Sequence, residues 1–358
     1  MQNTFPYLII LFFFLSSCKQ PEDNIVNYNF TTDGIFICNE GNFTYGNSSL
    51  SFINLSENKI YNNVFYDVNN FPLGDVAQSI TFFENFAFVT INNSGKIFII
   101  DKNTFEFKAE ITGLTSPREI CIIDSEKAYI SDLYSSYITI FNPSTFEITG
   151  NINLGCSSEQ FIYYQNFTYV LSWSFNNKVF KIDTNNQIIS NIEVTYQPNS
   201  MVVDKNENLW ILSDGGNEGD EKQQLPALTK VSISDFVIDT VFQFEDIKNS
   251  PSNICINNTK DTICFLNNSW GSNSNSENGI YKMSIEDKNI PKTAFIKQEN
   301  RNFYRFFVNP ITSEIFVSDA LSFTEDGIIL HYSADGKLIQ TFEAGIIPGS
   351  FGYKQTSN

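Results

Sequence analysis

The sequence predicts an all-β chain: a single seven-bladed β-propeller of four-stranded antiparallel blades, the first blade closed by the C-terminal strand. Three observations predict it. A hairpin phrase recurs seven times, a second strand–turn–strand phrase precedes most copies, and the last residues repeat the pattern that opens an innermost strand.

The hairpin phrase is an apolar strand, a polar turn and a second short strand. It appears as LSFINLSENKI (50–60), KIFIIDKNTFE (96–106), YITIFNPSTFE (137–147) and KVFKIDTNNQI (178–188). It continues as LTKVSISDFVI (228–238), IYKMSIEDKNI (280–290) and ILHYSADGKLI (329–339), at spacings of 41 to 52 residues. Alternating apolar and polar positions mark half-buried strands, and Asp, Asn, Pro, Ser and Gly mark the turns. The preceding phrase is seen in QSITFFENFAFVTI (78–91), REICIIDSEKAYIS (118–131) and SMVVDKNENLWILS (200–213). Each period therefore holds four strands. No segment sustains a 3.6-residue apolar period, which excludes a helical solenoid, and Gly-His and Trp-Asp signatures of WD40 arrays are absent. The first period, from GIFICNEG (34–41), lacks its innermost strand. IPGSFGYK (347–354) resembles the start of such a strand and would complete that blade, closing the ring and hiding its edges.

The N-terminal residues are expected to lie outside this body, which spans 33–358. Residues 1–17 read as a lipoprotein signal peptide. The apolar run 7–15 is too short for a permanent membrane span but has the length of a signal-peptide core. It ends in Leu15-Ser16-Ser17-Cys18, which resembles a lipobox, with Cys18 as the lipidated residue, although no Lys or Arg precedes the run. Residues 18–32 are polar and read as a flexible tether. Glu22 and Asp23 resemble an acidic surface-export signal and read equally well as solvated linker. The expected location is the outer membrane, lipid-anchored and facing the exterior.

The net charge of −18 disfavours nucleic acid, which needs a basic face, and leaves the lipid anchor as the expected membrane contact. The chain has one histidine, His331, in an apolar strand, so His-based metal sites and Ser-His-Asp chemistry are not expected. Cys38, Cys121, Cys156, Cys255 and Cys264 include no CxxC pair. Cys255 and Cys264 are expected to face each other across a hairpin, either as a disulfide or, the preferred reading, as two buried thiols. The loop 214–221 has the oxygen donors and glycines of a loose calcium loop without EF-hand spacing, and a solvated acidic loop is preferred. No metal and no cofactor is expected.

In a propeller, the loops between second and third strands share one face with the connections between blades. Here the former are long: 40–49, 92–96, 133–137, 172–178, 214–227, 268–279 and 320–327. The opposite face carries short turns such as FENF and DSEK. Phe43, Tyr45, Tyr134, Trp173, Phe175, Trp270 and Phe323 fall on the long loops, among Asn, Ser and Gly, a mixture suited to holding a large polar ligand. Half of these rings are expected to pack between blades instead. The inter-blade segments 73–79, 114–119, 156–161, 196–201, 250–254 and 302–306 are expected to ring the central channel. Gln78, Arg118, Glu159, Gln160, Asn199, Asn253 and Arg305 are the candidates for its polar lining. Pro117, Pro198 and Pro251 need no role beyond a rigid turn.

The phrases LGDVAQSI, INNSGKI, GLTSPREI, ISDLYSSYITIFNP and QPNSMVVDKNENLWILSDGG, with GIFICNEGNFTYGNSSLS near the start, together resemble the YncE-like surface propeller lipoproteins of Bacteroidetes. Among these are the BtuG-type cobalamin-capture proteins. The resemblance implies surface anchoring, capture of a bulky nutrient with cobalamin or another corrinoid leading, and a TonB-dependent outer-membrane transporter as partner. It supplies no residue-by-residue ligand set. The alternative is a cell-surface propeller that binds another polypeptide and no small molecule. An enzyme, such as a propeller lyase or quinoprotein, is not expected, because no pair of acids stands at a telling spacing.

Overall fold

A computed structural model describes residues 26–269 and 277–356. Seven four-stranded antiparallel sheets are present, each ordered by sequence from the axis outward except the first. Blade 1 is Pro348–Lys354, Gly34–Asn39, Ser49–Asn54 and Lys59–Tyr61; its innermost strand comes from the C-terminus. Blades 2 to 7 begin with Ala77–Phe83, Pro117–Ile122, Phe161–Tyr164, Pro198–Val203, Asn249–Ile256 and Phe303–Val308. The seven-bladed propeller and its closure are thus as the repeats predict.

Alternation along the middle strands explains the packing. In Gly34–Asn39 all six residues are buried, because both faces of a blade meet a neighbour. Ile35 and Ile37 point toward blade 7, where they join Phe316, Ile329 and Phe342. Phe36 and Cys38 point the other way, toward Ile80, Val89 and Phe98 of blade 2. Seven such apolar clusters occur, one for each pair of adjacent blades, so the core is itself a ring. Outermost strands meet no neighbour on one edge and stay exposed, as in Val237–Gln243, where even Val237, Ile238 and Val241 face solvent.

Three details depart from or refine the sequence reading. A short helix, Val64–Asn69, not predicted, lies between blades 1 and 2; Phe65 anchors it against Phe71 and Phe98. The tether expected over 18–32 is not free from Val26 onward. Tyr28 and Phe30 pack on the core between blades 1 and 2, Tyr28 donates a hydrogen bond to Asp67, and buried Lys354 donates to the Phe30 carbonyl. The aromatic residues of a compositionally polar stretch were enough to dock it. The signal-peptide and Cys18 assignments lie outside the described residues. Finally, Cys255 and Cys264 are paired in register and both are free thiols, pushed up to about 12 by burial. His331 is a packed residue, stacked on Phe316 with centroids 4.1 Å apart.

Candidate functional site

The axial channel opens into a cavity of about 400 Å³. Its lining includes Gln78, Arg118, Glu159, Gln160, Asn199, Asn253 and Arg305, the residues the inter-blade segments were expected to contribute. The device that aims them is a repeated β-bulge. Where six of the seven innermost strands start, one extra residue interrupts the pairing. The interruptions lie between Ala77 and Ser79, Pro117 and Ile120, Pro198 and Ser200, Ser252 and Cys255, and Phe303 and Arg305. In blade 1 the register shifts opposite Cys38 and Asn39, leaving Gly349 as the extra residue. A bulge breaks the two-residue alternation and turns side chains that a regular strand would send between the blades.

The lining sorts into two groups. Gln160, Asn199 and Asn253 lace neighbouring inner strands: Gln160 accepts from the Met201 amide at 2.6 Å, Asn199 donates to the Pro251 carbonyl at 2.8 Å, and Asn253 accepts from the Phe306 amide at 2.6 Å. Their polar atoms are largely committed to holding the ring. The second group carries charge. Arg118 donates from Nε to both oxygens of Glu159, at 2.8 and 3.0 Å, and from Nη1 to Gln78 at 2.5 Å. That bidentate pair ties blades 2, 3 and 4 across the channel. Arg305 also lines the cavity and rests over the Tyr304 ring, 5.1 Å from its centroid.

Sequence reasoning missed three polar groups here. Glu119 lines the cavity beside Arg118 because both fall in the bulge, opposite the single residue Ser131. Burial, and then the nearby Glu159 carboxylate, push Glu119 up to about 7, against the pull of Arg118. Glu40 and Tyr304 face each other across the joint of blades 1 and 7, the tyrosine hydroxyl donating at 3.0 Å. Burial raises the Glu40 pKa, with Arg305 opposing it. Strict alternation hides such residues; only the doubled polar pair Arg118-Glu119 at the strand entrance signals a bulge.

The Glu119 shift has a measurable consequence. A carboxyl whose pKa is higher in the folded chain than in the unfolded one makes folding stability fall as pH rises between the two values, here from about 4.5 to about 7. Glu119→Gln is therefore expected to stabilise the protein by about 1–3 kcal/mol near pH 8 and to leave it unchanged near pH 4. Urea unfolding at the two pH values checks this; equal stabilisation at both would assign the effect to packing instead.

A second cavity, of about 480 Å³, adjoins the first and shares Trp173 and Asp214 with it. Gly216, Asn217, Glu218, Gln223 and the segment 247–250 complete its wall. Asp214 ends a second strand and is held by three donors: the Gly216 amide at 2.9 Å, the Trp173 indole at 3.1 Å and Asn199 at 3.5 Å. It thereby fixes the Trp173 ring between the two cavities. The acidic loop behind it spends its first carboxylate on protein donors, not on the solvent face.

Around these cavities stand the loop rings. Phe43, Tyr45, Tyr134 and Phe175 are between 66% and 77% exposed, and Phe323 is 41% exposed. Fewer loop rings pack than the half expected: of those described, Trp173 turns inward and Phe323 meets the Tyr304 ring edge-on, centroids 5.7 Å apart. Trp270 lies outside the described residues. Phe175 also holds a left-handed backbone, φ 53°. Phe105 and Phe236 do the same on the opposite face, but there the rings are buried between blades, which offsets the strain. Phe175 has no such return within the chain.

Solved structures with the same architecture are numerous. A quinonprotein alcohol dehydrogenase-like protein from Bacteroides thetaiotaomicron is 16% identical, with a TM-score of 0.66 over 90% of this chain and 78% of that one. The periplasmic gluconolactonase of Pseudomonas aeruginosa is 8% identical, with a TM-score of 0.65 over 91% and 99%. A catalytically inactive virginiamycin B lyase from Staphylococcus aureus, solved with quinupristin, is 16% identical, with a TM-score of 0.58 over 82% and 95%. No curated protein matches. At these identities the likeness is one of fold. It nevertheless corrects the expectation that the chain is not an enzyme. Proteins named as a gluconolactonase and a lyase share the architecture, and the cavity lining brings together Glu119 and Glu159, acids that linear spacing kept apart. A family profile matches residues 33–344, nearly the whole propeller, and by that match the chain belongs to the family described as Domain of unknown function (DUF5074).

Proposed function

We propose that the chain is a surface lipoprotein that captures a bulky ligand on its loop-rich face, over the mouth of the axial cavity, and passes it to a TonB-dependent outer-membrane transporter. A corrinoid such as cobalamin is the first ligand to test. The observation that carries this reading is the crown itself: Phe43, Tyr45, Tyr134 and Phe175 are exposed together on the long loops, with two cavities joined at Trp173 near them. Exposed rings of this number on one face favour contact with a partner over solvation. A decorated macrocycle is too large to enter either cavity and would lie across the mouth, its edge against the rings. The lipobox-like Leu15-Ser16-Ser17-Cys18 and the sequence resemblance support the anchored, transporter-coupled setting.

The test is calorimetric titration of the mature chain with cyanocobalamin. Binding at micromolar affinity or tighter is expected, weakened at least about tenfold by Tyr134→Ala with Phe175→Ala. No heat at micromolar ligand removes the corrinoid. A polypeptide that co-purifies and stays bound without any small molecule would replace capture by protein recognition on the same face.

A further inference from the structure

We infer that the axial cavity contains a small-oxyanion site centred on the Arg305 guanidinium, independent of whatever the rim holds. Two arginines line this cavity, and they differ in one respect. Arg118 is neutralised by the bidentate Glu159 and capped by Gln78. Arg305 has no side-chain hydrogen bond and no ion pair among the described residues; it rests over the Tyr304 ring. A guanidinium carries five N–H donors in a planar fork, matched to the paired oxygens of a carboxylate or phosphate. Arg305 is only partly buried, so water can meet these donors, and an oxyanion entering the cavity would replace that water with charge-assisted hydrogen bonds.

The acids nearby do not fill the role. Glu159 is committed to Arg118. Glu40 faces Arg305 from blade 1, but the Tyr304 hydroxyl holds its carboxylate and it makes no ion pair among the described residues. Glu119 faces Arg118 on its own strand, Glu159 from blade 4 and Arg305 from blade 7, and it is largely uncharged below neutral pH. At the bulge of blade 1 the chain places Gly349 where other blades present Gln78, Arg118 and Asn199. A Cβ there would lie 2.2 Å from Glu40 Oε1, so the glycine leaves room for the Glu40 carboxylate, which the Tyr304 hydroxyl then holds. Ser252 and Ser350 also line the cavity and offer hydroxyl groups to an oxygen-rich ligand. A volume of about 400 Å³ suits a phosphate or a hydroxylated carboxylate of sugar size.

The experiment titrates the mature chain with sulfate, as the tetrahedral probe, and separately with gluconate, as the hydroxylated carboxylate. Neither changes charge between about pH 6 and about pH 8. Saturable binding of at least one at millimolar concentration or below is expected, and the stronger arm tells phosphate-like from carboxylate-like ligands. Arg305→Gln should weaken it by about 10- to 100-fold, and Arg305→Lys by less. Binding should weaken as pH rises through the Glu119 transition, because a second negative charge then faces the anion, and Glu119→Gln should abolish that dependence. Thermal melts establish that each variant folds; if Arg305→Gln does not, the Arg305→Lys affinity and the Glu119→Gln pH profile decide. Absence of binding by both anions overturns the proposal. So does an affinity indifferent to Arg305 substitution. Neither result bears on cyanocobalamin binding at the rim.

Discussion

Ending the chain at Ile346 should abolish cooperative folding of the whole propeller, not fray one blade. The removed strand, Pro348–Lys354, pairs with Gly34–Asn39 along its length, from Gly34 opposite Lys354 to Asn39 opposite Pro348. Its Phe351 and Tyr353 stack on Phe307 of blade 7, and Gly352 fits against Ile80 and Phe82 of blade 2. Tyr353 and Thr356 both donate to Asp33, and Lys354 holds the Phe30 carbonyl, so the N-terminal segment loses its seat as well. Two of the seven inter-blade clusters would open together, exposing Phe36, Ile35 and Ile37 along a bare strand edge. At about 1.5–3 kcal/mol for each large apolar side chain uncovered, the loss rivals the roughly 5–15 kcal/mol that holds a domain folded. Thermal and urea unfolding of the truncated chain should show no native transition, or one displaced far downward. An unchanged melting temperature would show that the ring does not depend on its latch.

That latch was legible because it rests on periodicity. A strand repeats its polar and apolar order wherever a blade needs it, so the 347–354 segment resembles 197–204 even though it lies at the other end of the fold. The long loops of one face and the channel-facing segments were legible for the same reason: position in a repeat fixes position in space. What escaped were features set by local departures from the repeat. Glu119 was missed because the bulge opposite Ser131 turns two successive residues to one side. Glu40 and Tyr304 were missed because their meeting depends on ring closure across 264 residues. Val64–Asn69 fills a gap between two blades and has too few residues to show a helical period. The exposure of Phe175 and Tyr134 runs against what an aromatic residue contributes to a core, and no pattern in the sequence distinguishes a ring that packs from one held outward. The division of the channel into lacing amides and free charge is likewise a matter of which partner lies within reach.

The Arg118–Glu159 pair should show a marked asymmetry between single and double substitution. The two side chains are 15% and 12% exposed, so removing one leaves a charge with little water to solvate it. Glu159→Leu strands the guanidinium against Gln78 alone and is expected to cost about 2–4 kcal/mol; the channel is open enough to place this below the full penalty of a dry interior. Arg118→Met strands Glu159 beside Glu119, two carboxylates in one cavity, and should cost a similar amount while raising the pH at which Glu119 ionises. The double variant, Arg118→Met with Glu159→Leu, removes both charges and should recover most of the loss. A double-mutant cycle by urea unfolding measures the coupling, expected to be at least about 2 kcal/mol. Additive single costs would mean that the pair does not bind the three blades together. The cycle also bears on ligand chemistry, because Glu159→Gln leaves two unpaired guanidiniums facing one cavity. Sulfate affinity should then rise, the reverse of the Arg305→Gln effect, and a fall would place the anion nearer the carboxylates than the arginines.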